Sequence, residues 1–277
     1  MMTLAQLTRP LRLAGAAALL VGTGLMAGCG GDQGNDDDKT VKVGTIAGPE
    51  TELMQVAKGI AKDKYGLDVQ IIEFNDYVSP NMALADGSID ANAFQHKPYL
   101  DSMVKDRGFK FAVAGKTFVY PIGAYSKRHE NIGELPDGAT IALPNDPSNE
   151  ARSLLLLDKN ELITLKDDQD PNATLDDITS NPHNFTFHEI DAAQLPRALD
   201  DVDLAFINNT FAQPAGLSLQ DALIKEGPDS PYTNLIVVRE GEQDKDSIQH
   251  LVQSFQSDAV ADKAKELFKD GAVPGWK

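Results

Sequence analysis

The stretch "ALADGSIDANAFQH", residues 83–96, decides the fold together with its echo "ALDDVDLAFINN", residues 198–209. In each, a helical pattern ends, acidic turn residues follow, and a short apolar strand runs into polar side chains. Chance similarity of two strand–helix units is one explanation, and two equivalent lobes are the other. In open α/β sheets, ligands bind beyond the carboxyl ends of the strands. Facing lobes would therefore place residues 94–96 and 208–209 on one cleft.

Strand-like and helix-like segments alternate along the rest of the chain. Residues 50–65 have apolar positions at helical spacing, acidic side chains in the first turn and Gly66 after the end. Further helices are predicted over 98–108, 147–160, 192–200, 244–255 and 258–269. Strands are predicted over 41–47, 68–74, 88–94, 109–115, 117–126, 139–144, 185–190, 202–207 and 232–240. This alternation is typical of α/β sheets, and we expect lobe 1 to span 41–120 plus 238–277 and lobe 2 to span 121–237.

The N-terminus has the pattern of an exported lipoprotein. Arg9 and Arg12 precede an uncharged apolar run to Gly28, which is typical of a secretory signal over residues 1–28. The run is shorter than the roughly 20 apolar residues of a spanning helix, so a membrane anchor helix is the less favoured alternative. Cys29, the single cysteine, follows "LMAG" as in a bacterial lipobox. We therefore expect lipidation of Cys29, a flexible tether over 29–40 and a protein held at the membrane, facing the periplasm or the cell exterior.

Charge and motifs exclude several classes of function. The formal net charge of −17 argues against nucleic acid, because phosphate binding needs clustered Lys and Arg. The chain has no G-x-S-x-G elbow and no P-loop, and its five histidines form no H-E-x-x-H or other zinc pattern. We therefore assign no catalytic residue, metal or cofactor. His96 in "FQHKPYL" (94–100) is open to three interpretations: a metal ligand, a catalytic base or a wall of a pocket. The last is favoured because no second ligand lies nearby.

One strand-to-helix junction is suited to a carboxylate. Asp146 is placed as an N-cap before Pro147, and Asn149 and Arg152, three residues apart, share a helix face. The free N–H groups and the dipole of a helix N-terminus favour an anion, and a guanidinium binds a carboxylate bidentately. The alternative is that Arg152 pairs with a surface acid such as Glu150 or Asp158.

Amides and aromatic residues supply the two other parts of a candidate pocket. Asn234 is out of place by propensity inside a strand-like run, and buried amides such as Asn208 need partners, which an ammonium and a carboxylate would provide. Turn formation is the alternative and fits Asn209 better than Asn234. The aromatic side chains of Tyr77, Phe94 and Tyr99 suit a thioether, because S–aromatic contacts contribute roughly 0.3–1.5 kcal/mol each. A neutral His96 can pack against the thioether as well. The alternative for any one of them is filling of the core.

These segments together resemble the methionine-binding lipoproteins of bacterial ABC importers, the MetQ/NlpA family, over about residues 41–276. The resemblance rests on long ungapped stretches: "AKDKYGLDV", "FNDYVSPN", "IDANAFQHKPYLD", "TFVYPI", "PNDPSNEARSLLLL", "LPRALDD", "SPYTNLIVVRE" and "GAVPGW". It implies a two-lobed periplasmic-binding-protein fold of the type II-like class, closing on methionine in the cleft between the lobes.

The resemblance also implies roles for individual residues. Arg152 would bind the ligand carboxylate. The amino and carboxylate ends would be held by Asn149, Asn208 and Asn234, and the side chain would be surrounded by Tyr77, Phe94, His96 and Tyr99. The chain departs from the family pattern at Asn209 and Phe211, where relatives have Thr and Tyr.

The partners implied are L-methionine, an ABC importer permease with its ATPase, and the membrane through the lipid on Cys29. The implied function is capture and delivery rather than catalysis. Two alternatives stay open. The first is a binding protein for D-methionine or a methionine-containing dipeptide. The second is a cell-surface lipoprotein that acts as an enzyme or adhesin through the same cleft.

Overall fold

The structure, a computed structural model, describes residues 39–227 and 230–277. The predicted signal 1–28, the lipidation site Cys29 and most of the tether lie outside those residues. In the part of the chain that is described, no helix has the length and apolar character needed to cross a membrane.

The described chain alternates between strands and helices. The helices are α1 (Pro49–Tyr65), α2 (Ser79–Ala85), α3 (Lys97–Arg107), α4 (Pro147–Lys159), α5 (Leu195–Ala198), α6 (Asn209–Ala212), α7 (Asp246–Phe255) and α8 (Asp258–Phe268). The strands are β1 (Thr40–Ile46), β2 (Asp68–Phe74), β3 (Ala91–His96), β4 (Phe111–Val119), β5 (Gly123–Tyr125), β6 (Thr140–Pro144), β7 (Thr164–Leu165), β8 (Ile178–Ser180), β9 (Thr186–Ile190), β10 (Leu204–Ile207), β11 (Ile224–Lys225), β12 (Thr233–Arg239) and β13 (Val273–Pro274).

Local sequence signals explain where the helices begin and end. In α1, acidic residues occupy the first turn and lysines the last, which complements the helix dipole. Gly66 follows α1 with φ 67°, a left-handed conformation that glycine adopts without strain. The carboxylate of Asp146 accepts a hydrogen bond from the backbone N–H of Asn149 and caps α4.

Two mixed sheets form the two lobes. The first lobe contains a six-stranded sheet in the order β13-β4-β12-β3-β1-β2, and the second contains a five-stranded sheet in the order β11-β5-β10-β6-β9. Strands β1, β2 and β3 run parallel, as do β6, β9 and β10, whereas β4, β5, β11, β12 and β13 pair in antiparallel fashion. The α/β prediction is confirmed.

Each sheet has a hydrophobic core of its own. In the first lobe, Leu53 of α1 and Ile236 of β12 are fully buried with residues of α7 and α8. In the second lobe, Leu154 of α4 packs with Phe206 of β10. Burying a side chain of this size contributes about 1.5–3 kcal/mol. Because the two cores are separate, each lobe is stabilised by its own interior.

The predicted lobe boundary at residue 237 is wrong. It falls inside β12, and the whole of this strand pairs with β3 and β4 of the first sheet. The chain therefore enters the second lobe after β4 and returns before Thr233. The apolar run of β12 indicated a buried strand, but its pairing partner lies about 140 residues earlier in the chain and left no local signal.

Most predicted elements match the structure within a few residues, and two differ. The strands expected over 109–115 and 117–126 are one strand, β4, followed by the short β5. Gly115 allows the strand to continue under α7, because a Cβ there would lie 2.6 Å from Cγ1 of Val252. The short elements α2, α6, β7, β8, β11 and β13 were not predicted.

Candidate functional site

A cavity lies between the two lobes, at the carboxyl ends of their parallel strands. Its volume is about 20 Å³, little more than a single water needs, so the two lobes are nearly closed on each other. The residues that line it are Tyr77, Phe94, Gln95, His96, Tyr99, Tyr120, Asn149, Arg152, Asn208, Asn209, Thr210 and Asn234. All eight candidate ligand residues are in this set. Gln95 and Asn209 were expected at the cleft but not assigned to the ligand, and Tyr120 and Thr210 were not expected there.

One wall of the cavity is aromatic and belongs to the first lobe. Phe94 is the fourth residue of β3 and Tyr99 lies in the first turn of α3, with ring centroids 5.9 Å apart. The ring of Tyr77 lies 5.8 Å from Phe94 and 6.0 Å from Tyr99. The hydroxyl of Tyr99 donates to the carbonyl of Tyr77 at 2.8 Å. Phe211 of the second lobe reaches across to Tyr77 at 5.0 Å. The arrangement is an apolar chamber closed from both sides.

A buried network of three amides holds this wall in place. Asn81, at the start of α2, exchanges two hydrogen bonds with Gln95 of β3 at 2.7 and 2.9 Å. Asn92 donates to Asn81 and accepts from Gln95. All three side chains are buried. Because Tyr77 and Phe94 lie on the two segments that the network joins, it fixes their separation.

His96 joins the two lobes as a neutral imidazole. Its Nδ1 accepts from the backbone N–H of Tyr99 at 3.3 Å, so the ring proton is on Nε2, which donates to Oδ1 of Asn149 at 3.2 Å. Burial, followed by the charge of Arg152, lowers the pKa of His96 to about 3. Within residues 39–227 and 230–277, no group of three His, Cys, Asp or Glu side chains is placed to hold a metal ion.

Asn149 and Asn208 form the polar end of the cavity. Nδ2 of Asn149 donates to the carboxylate of Asp146, and its Oδ1 accepts from Nδ2 of Asn208 at 2.9 Å. The Oδ1 atom of Asn208 is buried and accepts no hydrogen bond from any residue that the structure describes. A buried acceptor of this kind is costly unless a donor meets it. Asn208 lines the cavity, so a ligand that enters the cavity could supply the missing N–H or O–H donor.

Asn234 lies in the first lobe beside His96, although the predicted boundary at residue 237 placed it in the second lobe. It is directly opposite His96 in the pairing of β12 with β3. Its Nδ2 donates to the carbonyl of Phe94 at 2.7 Å, beside a register shift between Leu235 and Ile236. The amide therefore satisfies the backbone where the pairing is irregular, which accounts for an asparagine inside a strand.

Arg152 forms a buried ion pair that the sequence analysis missed. Its Nε and Nη2 donate to the two carboxylate oxygens of Glu226, and Nη2 also donates to the carbonyl of Tyr120 at 2.9 Å. The suggested surface partners, Glu150 and Asp158, are not its partners. Glu226 lies 74 residues away and accepts in addition from the backbone N–H of Ile122. Among the described residues no acceptor is bonded to Nη1 of Arg152, and the Arg152 side chain lines the cavity.

The N-terminus of α4 already contains a carboxylate of the chain itself. Asp146 accepts from the backbone and side chain of Asn149 and from the hydroxyl of Ser148. Burial raises the pKa of Asp146, although these hydrogen bonds lower it in part. The expected anion site at this helix end is therefore filled by Asp146, and a ligand carboxylate would have to bind beside it, near Nη1 of Arg152.

Two further hydrogen bonds connect α6 of the second lobe to the first lobe. Nδ2 of Asn209 donates to the carbonyl of Gly271 at 2.5 Å, and the hydroxyl of Thr210 donates to Oε1 of Glu50 at 2.6 Å. The sequence pattern indicates for Glu50 only a place in the first turn of α1. It is buried, and its partner lies 160 residues later in the chain.

Comparison with known proteins agrees with this site and fold. The family model described as NlpA lipoprotein matches residues 41–276. The chain belongs to the NlpA lipoprotein family. A family relative, the D-methionine-binding lipoprotein MetQ of Salmonella typhi, is 51% identical over 264 residues, which is 94% of this chain and 97% of the relative.

Solved structures of similar proteins extend the comparison. An ABC transporter periplasmic substrate-binding protein from Coxiella burnetii has 56% identity and a TM-score of 0.82, covering 85% of this chain and 100% of that one. A nutrient binding protein from Burkholderia cenocepacia, solved bound to methionine, has 50% identity and a TM-score of 0.83, covering 85% and 99%. These similarities confirm the expected two-lobed binding-protein fold.

Proposed function

We propose that this protein captures methionine in the cavity between its lobes and delivers it to an ABC importer. The observation that carries the proposal is Oδ1 of Asn208, a buried acceptor with no partner among the described residues. It lies in a cavity whose other wall consists of Tyr77, Phe94 and Tyr99. An α-ammonium group supplies the missing donor, and a thioether side chain suits the aromatic wall, with contacts of roughly 0.3–1.5 kcal/mol each.

The charges around the cavity favour a zwitterion over an anion. Arg152 is paired with Glu226, and the side chains of the pair are 2% and 11% exposed. His96 is neutral, because burial lowers its pKa to about 3. A site with a neutralised arginine and a neutral histidine attracts no net negative charge, yet Nη1 of Arg152 still donates to one carboxylate oxygen. A neutral amino acid meets both conditions.

In the proposed binding mode the two ends of methionine face different residues. Arg152 binds the carboxylate through Nη1, and Asn208 accepts from the ammonium. The remaining residues assigned to the polar end are Asn149 and Asn234, and those assigned to the side chain are Tyr77, Phe94, His96 and Tyr99. The ligand is bound and released unchanged.

The stereochemistry of the ligand is a separate proposal. We propose L-methionine as the main ligand, and D-methionine is the second candidate because the Salmonella typhi relative is described as a D-methionine-binding lipoprotein. The Burkholderia cenocepacia protein was solved with methionine. Both enantiomers present the same thioether, ammonium and carboxylate, so they differ only in how these groups reach Arg152 and Asn208.

Delivery and location follow from the same family membership. We propose that the lipid on Cys29 holds the protein at the membrane, facing the periplasm or the cell exterior. There the closed, loaded protein docks on a permease whose ATPase supplies the energy for import. The periplasmic substrate-binding protein of an ABC transporter from Coxiella burnetii, at 56% identity, supports this placement. Closure is stabilised only as far as the ligand binds the closed form better than the open one.

The test is to identify what the purified protein carries and what it binds. The protein is unfolded, the released small molecules are identified by mass spectrometry, and the refolded protein is titrated calorimetrically with L- and D-methionine. We expect methionine in the released fraction and binding at micromolar concentrations or tighter. A matched control is Lys97→Ala, which removes an exposed ion pair with Asp101 and should leave the affinity unchanged. Absence of binding by both enantiomers contradicts the proposal.

A further inference from the structure

Glu50 is a buried carboxyl at the junction of the two lobes. It lies in the first turn of α1 in the first lobe and is 5% exposed. The hydroxyl of Thr210, from α6 of the second lobe, donates to its Oε1 at 2.6 Å. Thr210 lines the cavity and Glu50 lies behind it. The environment of this carboxyl therefore depends on contact between the lobes.

No positive charge compensates Glu50 in the described part of the chain. Two influences act on its pKa, which are burial and the hydrogen bond from Thr210. The titratable side chains that interact with it are Tyr77, which follows β2, and Tyr120, which follows β4, and burial raises the pKa of both phenols. They are neutral at physiological pH and cannot stabilise a carboxylate as an ion pair would.

Protonation removes the charge of the Glu50 carboxyl and so lowers the cost of burying it in the closed cleft. Burial raises the pKa of Glu50 from its usual 4.5 to about 8. The first turn of α1 favours the ionised form through the helix dipole, but the effect of burial is larger. When the lobes separate, Thr210 moves away with the second lobe and Glu50 meets water, where a carboxyl has its ordinary pKa.

We propose that closure of the two lobes takes up one proton at Glu50, so that the protein captures its ligand together with a proton. The proposal rests on the proposed function, because lobe closure is driven by the ligand. The proton comes from the solvent and adds to the carboxylate, and Oε1 continues to accept from Thr210. The proton returns to solvent when the lobes open and the ligand leaves.

The sign of the pH dependence follows from the two states. The closed form binds more protons than the open form at every pH between the open and closed pKa values of Glu50. Closure is therefore most favourable below about 4.5 and weakens as pH rises to about 8. The contribution of Glu50 alone makes the affinity fall with pH in this window, by at most about tenfold per pH unit for a single proton.

Two other buried groups in the cleft define the pH for the experiment. His96 donates to Asn149 across the lobes and is neutral when they are closed. On opening it regains its ordinary pKa near 6.5, so closure releases a proton from His96 below about pH 7. Asp146 also has a raised pKa, but its hydrogen-bond partners, Ser148 and Asn149, belong to its own helix and stay with it when the lobes part. Above pH 7 the uptake by Glu50 is therefore the main contribution.

The experiment measures proton uptake directly. L-methionine is titrated into the protein at pH 7.5 in buffers of different ionisation enthalpy, and the dependence of the binding enthalpy on that quantity gives the number of protons. With a closed-state pKa of about 8, linkage predicts about 0.7 protons taken up per methionine. Glu50→Gln keeps the acceptor for Thr210 and should reduce the uptake to near zero. Its affinity should also no longer fall between pH 7 and 8.

Glu52→Gln is the matched control. Glu52 lies in the same first turn, and its side chain is 53% exposed, so this variant should take up the same number of protons as the wild type. Measurable binding with zero uptake by the wild type overturns the proposal, even if Glu50→Gln fails to fold. Absence of methionine binding by the wild type contradicts the proposed function instead, so the two failures are distinguishable.

Discussion

Replacing Asn208 with alanine removes the acceptor that the proposed function assigns to the ligand ammonium. A hydrogen bond to a charged group contributes about 1.5–3 kcal/mol, so Asn208→Ala should weaken methionine binding by roughly 10–150-fold. The variant also loses the 2.9 Å bond from Nδ2 to Asn149. Oδ1 of Asn149 keeps its bond from His96, and the variant should therefore fold.

A ligand without the ammonium group separates these two effects. 4-(Methylthio)butanoic acid has the thioether and the carboxylate of methionine but no amino group. It should bind the wild type roughly 10–150-fold more weakly than methionine, and Asn208→Ala should bind it with nearly the affinity of the wild type. Calorimetry of the four pairs of protein and ligand gives the coupling between the side chain and the ammonium. Equal losses for both ligands would refute the assignment, because the substitution would then act through the structure alone.

Three further predictions concern stability and closure. Asn81→Ala removes three hydrogen bonds from the buried amides of Asn92 and Gln95 and should lower the free energy of unfolding in urea by about 1–3 kcal/mol; a loss below about 0.5 kcal/mol contradicts the network. Gly271→Ala places a Cβ 2.9 Å from Nδ2 of Asn209 and should weaken methionine binding about 2–10-fold at nearly unchanged stability; no further loss is expected when Asn209→Ala is added, and additive losses would contradict the lobe contact. The unfolding free energy of the wild type relative to that of His96→Gln should decrease as pH falls from about 6.5 to about 3, because only in the wild type does the unfolded chain take up a proton at His96 that the folded chain does not; the same pH dependence in both proteins would refute this.

Much of the fold was accessible from the sequence because the two lobes use local signals. The apolar spacing of residues 50–65 and the glycine after them define α1 almost to the residue. The strand–helix junction at Asp146 and Pro147 has the expected cap. The eight candidate ligand residues line one cavity. Their family pattern indicated the same set.

Contacts between distant segments were not accessible. Periodicity indicates that β12 is buried, but not that it pairs between β3 and β4 in the first sheet. The spacing within α4 places Arg152 on the correct face, but its partner Glu226 belongs to the segment that returns from the second lobe. In the sequence Glu50 is an ordinary acidic first-turn residue, and nothing local indicates that Thr210 contacts it. Each of these features depends on which surfaces meet in three dimensions.

The most direct test of the central claim is a crystal structure of the protein with L-methionine. We expect the ammonium nitrogen within about 2.7–3.2 Å of Oδ1 of Asn208. The carboxylate should lie beside Nη1 of Arg152, and the thioether should contact Phe94 and Tyr99. Methionine bound in the reverse orientation, with its charged end toward Phe94, or bound outside this cavity, would contradict the account.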